Sequence, residues 1–282
     1  MNKQRRIYGL LGYPVKHSLS PVMHNAAFKA LGIDAHYELF EVKPQDLNPF
    51  LDSLPQREIH GLNVTIPYKE KVLDFVGLDD KSSCTSQIKA VNTIVRKGDI
   101  YVGYNTDVPG FLRHLREKID PADKRVAVLG AGGAGKAVVC AIASSKAREI
   151  VLFDIDKDKA KKVSKMATDL FKGIDVKSVD NIDGLDILKK DILVNATPVG
   201  MKDSDKCLIR EEMLHRDLFV YDVIYNPSET KLLTLAKKVG AKSCNGLGML
   251  LYQGMLSFEI WTNKKPPQEA MWEALSSQIS IK

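Results

Sequence analysis

The chain has 282 residues, of which 44% are hydrophobic and 27% are charged, a composition typical of a globular protein with about two domains. Its net charge of +6 comes mostly from lysines spread along predicted helices, and no arginine cluster alternates with aromatic residues. Nucleic-acid binding is therefore not expected, whereas a small anionic substrate is compatible with the mild positive charge.

The cysteine, histidine and hydropathy patterns exclude several other classes of protein. The four cysteines show no C-x-x-C spacing and the six histidines show no H-x-x-H or H-E-x-x-H spacing, so we expect neither disulfides nor a metal site. No apolar run approaches the ~18 residues of a membrane span, and the amino terminus leads into a predicted strand rather than a signal sequence. We expect a cytoplasmic monomer or homodimer with no membrane partner.

The amino-terminal part of the chain alternates apolar runs with stretches of helical periodicity. Ser20 followed by Pro21 predicts a helix with Ser20 as its N-cap, and Gly32 predicts its end. Pro67 predicts the start of another helix, and Lys69 would lie in its first turn, where the helix dipole disfavours an ammonium group. Strands are predicted over 7–12, 37–42, 59–66, 90–95 and 100–104, and further helices over 47–54 and 108–118.

A second alternation of strands and helices begins at Arg125. The apolar run 125–129 leads directly into glycines at 130, 132 and 135 and then into an Ala- and Val-rich stretch. This strand, G-x-G-x-x-G and helix order is the context in which the motif predicts a dinucleotide site, because the glycines and the helix amino terminus can receive a pyrophosphate. Further strands are predicted over 149–154, 174–179, 191–195 and 218–223.

The expected fold class is therefore α/β, with two α/β domains. The second would be a Rossmann-type domain with a doubly wound, mostly parallel sheet. A long apolar helix over 249–261 and a terminal helix have no strand of their own, so we expect them to return to the first domain. We expect residues 1–107 and 246–282 to form a substrate-binding and catalytic domain, and residues 108–245 to form the dinucleotide-binding domain.

A bound dinucleotide suggests hydride transfer, which needs a proton donor or acceptor beside the reacting carbon. Lys69 could move that proton and Asp107 could orient and balance it, although Asp107 is also a plausible N-cap and Lys69 a plausible exposed lysine. Ser18 and Ser20 could hold a carboxylate with their hydroxyls and the free N–H groups of a helix start. The alternative for Ser20 is simple capping.

Eight short motifs occur in order along the chain. They are Ser18-Leu-Ser20-Pro21, Asn63-Val-Thr65-Ile-Pro-Tyr-Lys69, Ala90-Val-Asn92-Thr, Asn105-Thr-Asp107, Gly130-Ala-Gly-Gly-Ala134, Asn195-Ala-Thr-Pro-Val-Gly-Met201, Tyr221-Asp-Val-Ile-Tyr225-Asn-Pro and Gly246-Leu-Gly-Met-Leu-Leu-Tyr-Gln253. Taken together, these motifs resemble the shikimate dehydrogenase family over nearly the whole chain. The resemblance implies an NAD(P)-dependent oxidoreductase that reversibly reduces 3-dehydroshikimate to shikimate in the chorismate and aromatic amino-acid pathway. It also implies the same two-domain fold.

The resemblance implies a role for each residue that matches a family motif. Lys69 and Asp107 match the catalytic pair. Substrate-binding roles are implied for Ser18, Ser20, Thr65, Asn92, Tyr225 and Gln253. Cofactor-binding roles are implied for Gly130, Ala131, Gly132, Gly133, Ala134, Thr197, Val223 and Gly246.

The residues after the second strand of the dinucleotide domain depart from the family pattern. NADP-using members typically carry Asn-Arg-Thr there, whereas this chain has Asp154, Ile155 and Asp156. Asp154 follows the first glycine at close to the ~20 residues expected of a ribose-binding acid. Since a carboxylate accepts hydrogen bonds from a 2′-hydroxyl and repels a 2′-phosphate, we predict NAD in preference to NADP. The alternative is that Asp154 points away and that Lys157 or Lys159 binds the phosphate.

Three alternative functions remain open. A relative that oxidises quinate as well as shikimate would fit NAD use, although the Ser18 and Ser20 pair matches the shikimate-preferring pattern. A non-catalytic dinucleotide-binding regulator would not need both Lys69 and Asp107. Another two-domain dehydrogenase, such as the folate-linked kind, would not need the paired serines.

Overall fold

The computed structural model describes residues 5–78 and 87–279, which fold into two compact units. The first unit contains the described residues up to Thr106 and from Leu250 onward, and the second contains Asp107–Met249. Both are α/β units, which confirms the predicted fold class. No helix within the described part of the chain is both long enough and apolar enough to cross a lipid bilayer.

The helices and strands agree closely with the sequence prediction, mostly within two residues at each end. The strands are β1 (Arg6–Gly12), β2 (Ala35–Glu41), β3 (Ile59–Val64), β4 (Gly77–Leu78), β5 (Thr93–Lys97), β6 (Ile100–Tyr104), β7 (Arg125–Leu129), β8 (Glu149–Phe153), β9 (Asp175–Val179), β10 (Ile192–Asn195), β11 (Phe219–Asp222) and β12 (Lys242–Cys244). The α-helices are α1 (Ser20–Ala30), α2 (Leu47–Asp52), α3 (Asp107–Lys118), α4 (Gly133–Ser144), α5 (Lys157–Leu170), α6 (Lys231–Lys238), α7 (Leu247–Thr262) and α8 (Gln268–Ile279).

The first unit is built on a mixed sheet in the order β2-β1-β3-β5-β6-β4. β1 pairs in parallel with β2 and β3, whereas β5 pairs antiparallel to β3 and β6. The register aligns Asn63 with Thr93 and Thr93 with Tyr104. One edge of the sheet therefore collects the segments that follow β1, β3 and β6 and the residue that precedes β5.

The first helix ends as its sequence predicts. Gly32 has a φ of +60°, a conformation that glycine adopts at little cost. The N–H groups of Gly32 and Ile33 donate to the carbonyls of Lys29 and Phe28 at 3.2 and 2.9 Å. These two bonds satisfy carbonyls that have no partner within the helix, so the chain can turn into β2.

The carboxy-terminal helices belong to the first unit, as predicted. α8 packs against α1, and α7 contributes two aromatic residues to the core. The Trp261 ring lies 5.1 Å from Tyr8, the Phe258 ring lies 5.3 Å from Phe28, and Trp261 Nε1 donates to the carbonyl of Ile94 at 2.9 Å. A helix from the end of the chain thus covers the strands at its beginning.

The second unit contains a sheet in which the order β9-β8-β7-β10-β11-β12 runs from one edge to the other. Every pairing between its described strands is parallel. The direction of winding reverses between β7 and β10, and ligands of doubly wound sheets bind outside the carboxyl ends of the strands at such a point. The short edge strand β12 was not predicted, because its sequence Lys-Ser-Cys lacks an apolar pattern.

His24 lies within the aromatic layer of the first unit and has no exposed surface. Its ring stacks on Tyr37 with 4.5 Å between centroids and packs against Trp261 at 5.1 Å. Neither ring nitrogen has a hydrogen-bond partner. Burial in these surroundings disfavours the imidazolium and lowers the pKa of His24 from 6.5 to about 3.

We expect His24 to make the protein less stable in acid. The unfolded chain takes up a proton at His24 below pH 6.5, whereas the folded chain does so only near pH 3. The contribution of neutral His24 to the free energy of unfolding is therefore complete above pH 6.5 and is lost as the pH falls towards 3, by about 2 kcal/mol at about pH 5.

Urea unfolding of His24→Phe, which keeps a ring on Tyr37, should show a smaller loss of stability between neutral pH and about pH 5 than wild type. His60→Phe, which removes a histidine outside the fully buried layer, controls for the loss of an imidazole as such. Equal pH dependence in wild type and His24→Phe would contradict this account of His24.

Candidate active site

The segments after β1 and β3 are joined side by side at the edge of the first sheet. The N–H of Thr65 donates to the carbonyl of Leu11 at 2.9 Å, and the N–H of Tyr13 donates to that of Ile66 at 3.0 Å. Gly12 lies between Leu11 and Tyr13, and its backbone is so close to Thr65 that a Cβ at residue 12 would be 2.4 Å from Thr65 Cγ2. The absence of a side chain at residue 12 thus lets Thr65 pack beside the loop that leads to the serines.

Ser18 and Ser20 form a hydroxyl pair at the start of α1. Ser18 Oγ donates to Ser20 Oγ and accepts from the N–H of Ser20, both at 3.2 Å. The prediction that Ser20 is the N-cap is wrong: Leu19 is the N-cap, Ser20 is the first helical residue, and no side chain makes a capping bond. The pair therefore supplies hydroxyl groups at a helix start, where the dipole favours an anion.

Lys69 lies in a turn rather than in a helix, so the prediction of a helix beginning at Pro67 is wrong. The N–H of Tyr68 donates to the carbonyl of Thr65 at 2.9 Å, and the next helical segment is the short 3₁₀ helix Lys71–Asp74. The Lys69 carbonyl accepts from the N–H of Val91 at 2.7 Å, so it is not available to a helix. Lys69 is therefore outside the first turn of a helix, where a helix dipole would have disfavoured its ammonium group. Its half-buried side chain lies at the sheet edge.

Asn92 connects the segments that surround it. Its amide oxygen accepts from the N–H of Thr106 at 2.7 Å, and its amide nitrogen donates to Thr106 Oγ1 at 2.9 Å. Only 2% of Asn92 is exposed. Since Thr106 is followed by Asp107, the Asn92 amide fixes the backbone immediately before that carboxylate. Asp107 is the first residue of α3 and is buried.

A cluster of buried polar side chains, which was not predicted from the sequence, lies behind these residues. Asn63 accepts from the Tyr37 hydroxyl at 2.9 Å and donates to Ser257 Oγ at 2.9 Å. Thr93 Oγ1 lies 2.8 Å from Ser257 Oγ and 3.2 Å from Thr106 Oγ1. A signal for it in the sequence was Ser257, a small hydroxyl residue in a mostly apolar helical stretch.

Gln253 reaches the same region from α7. Its side-chain nitrogen donates to the backbone carbonyl of Leu250 at 2.8 Å, and the backbone carbonyl of Gln253 accepts from Ser257 Oγ at 3.0 Å. α7 lies against α1 at Gly254, where a Cβ would be 2.2 Å from Met23 Cε. The first unit thus joins the elements that carry its predicted substrate and catalytic residues, which are Ser18, Ser20, Thr65, Lys69, Asn92 and Gln253. Asp107 and Tyr225 belong to the second unit.

The glycine loop of the second unit has the geometry of a dinucleotide cradle. Gly130 has a φ of +100°, and a Cβ on Gly135 would lie 2.0 Å from the Gly130 carbonyl oxygen. Nothing lies within 4 Å of the position of a Cβ on Gly132, which is the N-cap of α4. The first and third glycines are therefore required by packing, whereas Gly132 leaves its backbone open to a ligand.

Asp154 faces this glycine loop. Its Oδ2 accepts from the N–H of Ala131 at 2.6 Å and its Oδ1 accepts from the N–H of Asp156 at 2.8 Å. The Asp154 carboxylate is therefore turned towards the glycine loop. Each carboxylate oxygen can accept a further hydrogen bond, so both remain able to bind a ribose hydroxyl.

The other predicted cofactor residues lie at the carboxyl ends of β10 and β11. Thr197 Oγ1 donates to the side chain of Asn195 at 2.7 Å, and the N–H of Val223 donates to the Asn195 carbonyl at 2.9 Å. Gly246 packs against the same segment, since a Cβ there would lie 1.9 Å from the Val223 oxygen. Tyr225 follows and is half-buried.

Within residues 5–78 and 87–279, no group of three or more His, Cys, Asp or Glu side chains is arranged to hold a metal ion. The named residues of the first unit's sheet edge carry hydroxyl, amide and amine groups, whereas the loop of the second unit presents glycine backbone. The chain thus combines a doubly wound parallel sheet that carries a dinucleotide-type glycine loop with a second α/β unit. These features define the class of two-domain dinucleotide-binding proteins.

Comparison with known proteins identifies the family. Residues 10–94 match the model of the shikimate dehydrogenase substrate binding domain, and residues 246–275 match that of the shikimate 5′-dehydrogenase C-terminal domain. The chain is 42% identical to the shikimate dehydrogenase (NADP(+)) of Methanopyrus kandleri over 99% of its own length and 98% of that relative.

Solved structures agree in fold. A crystal structure of shikimate dehydrogenase in complex with NADP⁺ matches with a TM-score of 0.89 and 38% identity, covering 99% of this chain and 97% of that one. The shikimate 5-dehydrogenase from Listeria monocytogenes, in complex with shikimate and NAD, matches with a TM-score of 0.86 and 33% identity over 98% of each chain. The chain belongs to the shikimate dehydrogenase family, as its motifs predicted.

The same substitution, glycine to alanine, should affect stability at Gly135 and dinucleotide binding at Gly132. Gly135→Ala should cost about 1–3 kcal/mol of stability, because its Cβ would overlap the Gly130 carbonyl. Gly132→Ala should leave the thermal unfolding midpoint within about 2 °C of wild type but weaken dinucleotide binding about tenfold or more, because the methyl group occupies the open backbone.

Thermal unfolding and isothermal titration calorimetry with NAD and NADP measure the two effects, and Gly135→Ala serves as the packing control. A Gly132→Ala protein that binds dinucleotide as tightly as wild type would show that this loop is only a structural turn.

Proposed function

We propose that this chain is a shikimate dehydrogenase, an NAD(P)-dependent oxidoreductase that acts on a CH–OH group and interconverts 3-dehydroshikimate and shikimate in chorismate biosynthesis. The observation that carries the proposal is the sheet edge of the first unit, where paired serine hydroxyls, Thr65, Asn92 and a half-buried lysine stand on segments tied together by hydrogen bonds. The match to family members over nearly the whole chain supports it.

The substrate carboxylate is proposed to bind Ser18 and Ser20. Two hydroxyl groups at the start of an eleven-residue helix can donate to its oxygens while the helix dipole favours the negative charge. The ring hydroxyls would then meet Thr65 and Asn92, with Tyr225 and Gln253 as further partners. The fixed orientation of the Asn92 amide favours a substrate with hydroxyls in one stereochemical arrangement.

Lys69 and Asp107 are proposed to carry the proton transfer. When bound, the dinucleotide supplies or accepts a hydride at the reacting carbon. In ketone reduction, the Lys69 ammonium gives a proton to the developing alkoxide oxygen, and in alcohol oxidation the neutral amine takes that proton back. The Asp107 carboxylate orients the lysine and balances its charge.

The residues of the second unit fit a dinucleotide. The open backbone of Gly132 and the amino end of α4 suit the pyrophosphate, with Gly130 to Ala134 lining it. Thr197, Val223 and Gly246 are proposed to lie at the nicotinamide end, at the point where the winding of the sheet reverses.

Removal of the Lys69 amine tests the catalytic assignment. Lys69→Ala should lower kcat for shikimate oxidation by about 10²–10⁴-fold, with far less change in KM, because a proton carrier is lost while the binding groups stay. Lys71→Ala, an exposed lysine two residues on, is the matched control and should keep wild-type kinetics.

Initial rates of dinucleotide reduction by shikimate give both constants. Unchanged kcat in Lys69→Ala would reject the role of Lys69, and a wild-type protein that does not oxidise shikimate with either dinucleotide would reject the proposed function itself.

For the choice between dinucleotides, we propose NAD. Family membership is compatible with both, so the proposal depends on this chain's own residues after β8. Asp154 turns its carboxylate towards the glycine loop. The two lysines that could have bound a 2′-phosphate lie near carboxylates instead: Lys157 Nζ is 3.5 Å from Asp180 and Lys159 Nζ is 3.2 Å from Asp156. Exposed ion pairs contribute little to stability, but the carboxylates of Asp180 and Asp156 still repel a phosphate bound at these lysines.

Changing two residues should shift this preference. Asp154→Asn keeps an oxygen that can accept from Ala131, but it loses the acceptor for the N–H of Asp156 and removes the charge. Ile155→Arg adds a cation at a side chain that is 92% exposed, so it needs no repacking. The double variant should raise kcat/KM with NADP relative to NAD by about tenfold or more.

Leu188→Arg, which adds the same cation at another exposed position of the second unit, controls for a general gain of positive charge and should not change the ratio. An Asp154→Asn, Ile155→Arg protein with the wild-type ratio would refute this explanation of cofactor choice.

A further inference from the structure

Asp222 is a fully buried carboxylate at the carboxyl end of β11. Its Oδ1 accepts from Asn195 Nδ2 at 3.0 Å and from the N–H of Ile224 at 3.1 Å, and its Oδ2 accepts from Thr230 Oγ1 at 2.6 Å. Within the described residues, no lysine, arginine or histidine forms an ion pair with it. Asp222 is thus a buried acid without a positively charged partner.

The hydrogen bonds around Asp222 suit its ionised form. Two of its partners are N–H groups, which can only donate. The third partner, Thr230 Oγ1, donates to Asp222 while it accepts from the N–H of Leu233 at 3.3 Å. Burial raises the pKa of Asp222, and the bonds from Thr230, Ile224 and Asn195 oppose that rise. Hydrogen-bond donors on both carboxylate oxygens favour the ionised form of Asp222.

The same bonds hold the segments that carry the proposed nicotinamide-end residues. Asn195, whose amide donates to Asp222, accepts from the N–H and hydroxyl of Thr197 at 3.1 and 2.7 Å. Ile224, whose N–H donates to Asp222, accepts from the N–H of Gly246 at 3.1 Å. Thr197 and Val223 are therefore linked to Asp222 through Asn195, and Gly246 is linked to it through Ile224.

The charge of Asp222 matters because the two forms of the cofactor differ in charge. The nicotinamide ring is a cation when oxidised and neutral when reduced. A negative charge without a partner, in an environment of low dielectric constant, attracts a nearby cation more strongly than it would in water.

We propose that Asp222 is a positioning residue of the dinucleotide site that orders the loops after β10 and β11 and whose charge strengthens binding of the oxidised dinucleotide relative to the reduced one. The inference rests on the proposed function, which assigns the nicotinamide to the segments around Thr197, Val223 and Gly246.

Asp222→Asn separates charge from shape. The oxygen of the new amide can accept from Asn195 and Ile224, and its nitrogen can donate to Thr230 once that hydroxyl rotates. Calorimetric titration of the full chain with NAD⁺ and with NADH should show Kd for NAD⁺ raised about three- to tenfold and Kd for NADH changed by less than about twofold. Asp222→Thr, a second uncharged substitution with a shape suited to a strand, carries the same prediction if the amide variant does not fold.

Two controls isolate the charge. Asp191→Asn removes a carboxylate at the opposite end of the same sheet, where Asp191 accepts from the N–H of Arg125 at 2.8 Å, and should not change the ratio of the two Kd values. Thr230→Val removes the hydrogen bond to Asp222 and the capping bond from the N–H of Leu233 but keeps the charge of Asp222, so binding of both forms should weaken equally.

Equal weakening of both forms by Asp222→Asn, or no weakening of either, would overturn the inference. The readout uses no shikimate. A wild-type protein that binds NAD⁺ and NADH but does not oxidise shikimate would therefore overturn the proposed function and leave the comparison of the two forms intact.

Discussion

The hydrogen bonds of Asn92 are the constraint on which the first unit's site depends. The Asn92 backbone accepts from Val64 at 2.8 Å and donates to Tyr104 at 3.0 Å, and its side chain receives the N–H of Thr106. One residue thus joins the end of β3, the start of β5 and the segment after β6. Nearby, the bond from Val91 holds the carbonyl of Lys69. Because these groups are buried, a missing partner would leave polar atoms without hydrogen bonds, at a cost of about 1–3 kcal/mol each.

The second unit uses close backbone packing where the first uses side-chain amides. Gly135 lies against Gly130 and Gly246 lies against Val223, so no larger residue fits at either position. These contacts let the loops after β7, β10 and β11 approach one another at the point where the direction of winding of the sheet reverses. In the proposed function, the glycine loop binds the dinucleotide and the polar groups of the first unit bind the alcohol. Asp154 is proposed to select the dinucleotide, and Asp222 is proposed to favour its oxidised form.

Much of this arrangement could be predicted from the sequence because it is local. The G-x-G-x-x-G turn, the glycine end of α1 and the β5–β6 hairpin each depend on residues close together in the chain. The prediction was wrong where a partner outside the helix decided the outcome, whether distant in the chain or two residues away. Val91 takes the Lys69 carbonyl and so prevents a helix after Pro67, and Ser18 satisfies the N–H of Ser20 in place of a cap. The bond between Asn63 and Ser257 joins residues 194 apart, and no periodicity could have revealed it.

The central claim is that the paired serines, Lys69 and Asp107 act on shikimate with the dinucleotide that Asp154 selects. The most direct test measures kcat/KM for shikimate and for quinate, each with NAD and with NADP, on the purified chain. The account predicts the highest value for shikimate with NAD. A higher value for quinate would contradict the substrate assignment, and a higher value for shikimate with NADP would contradict the role given to Asp154.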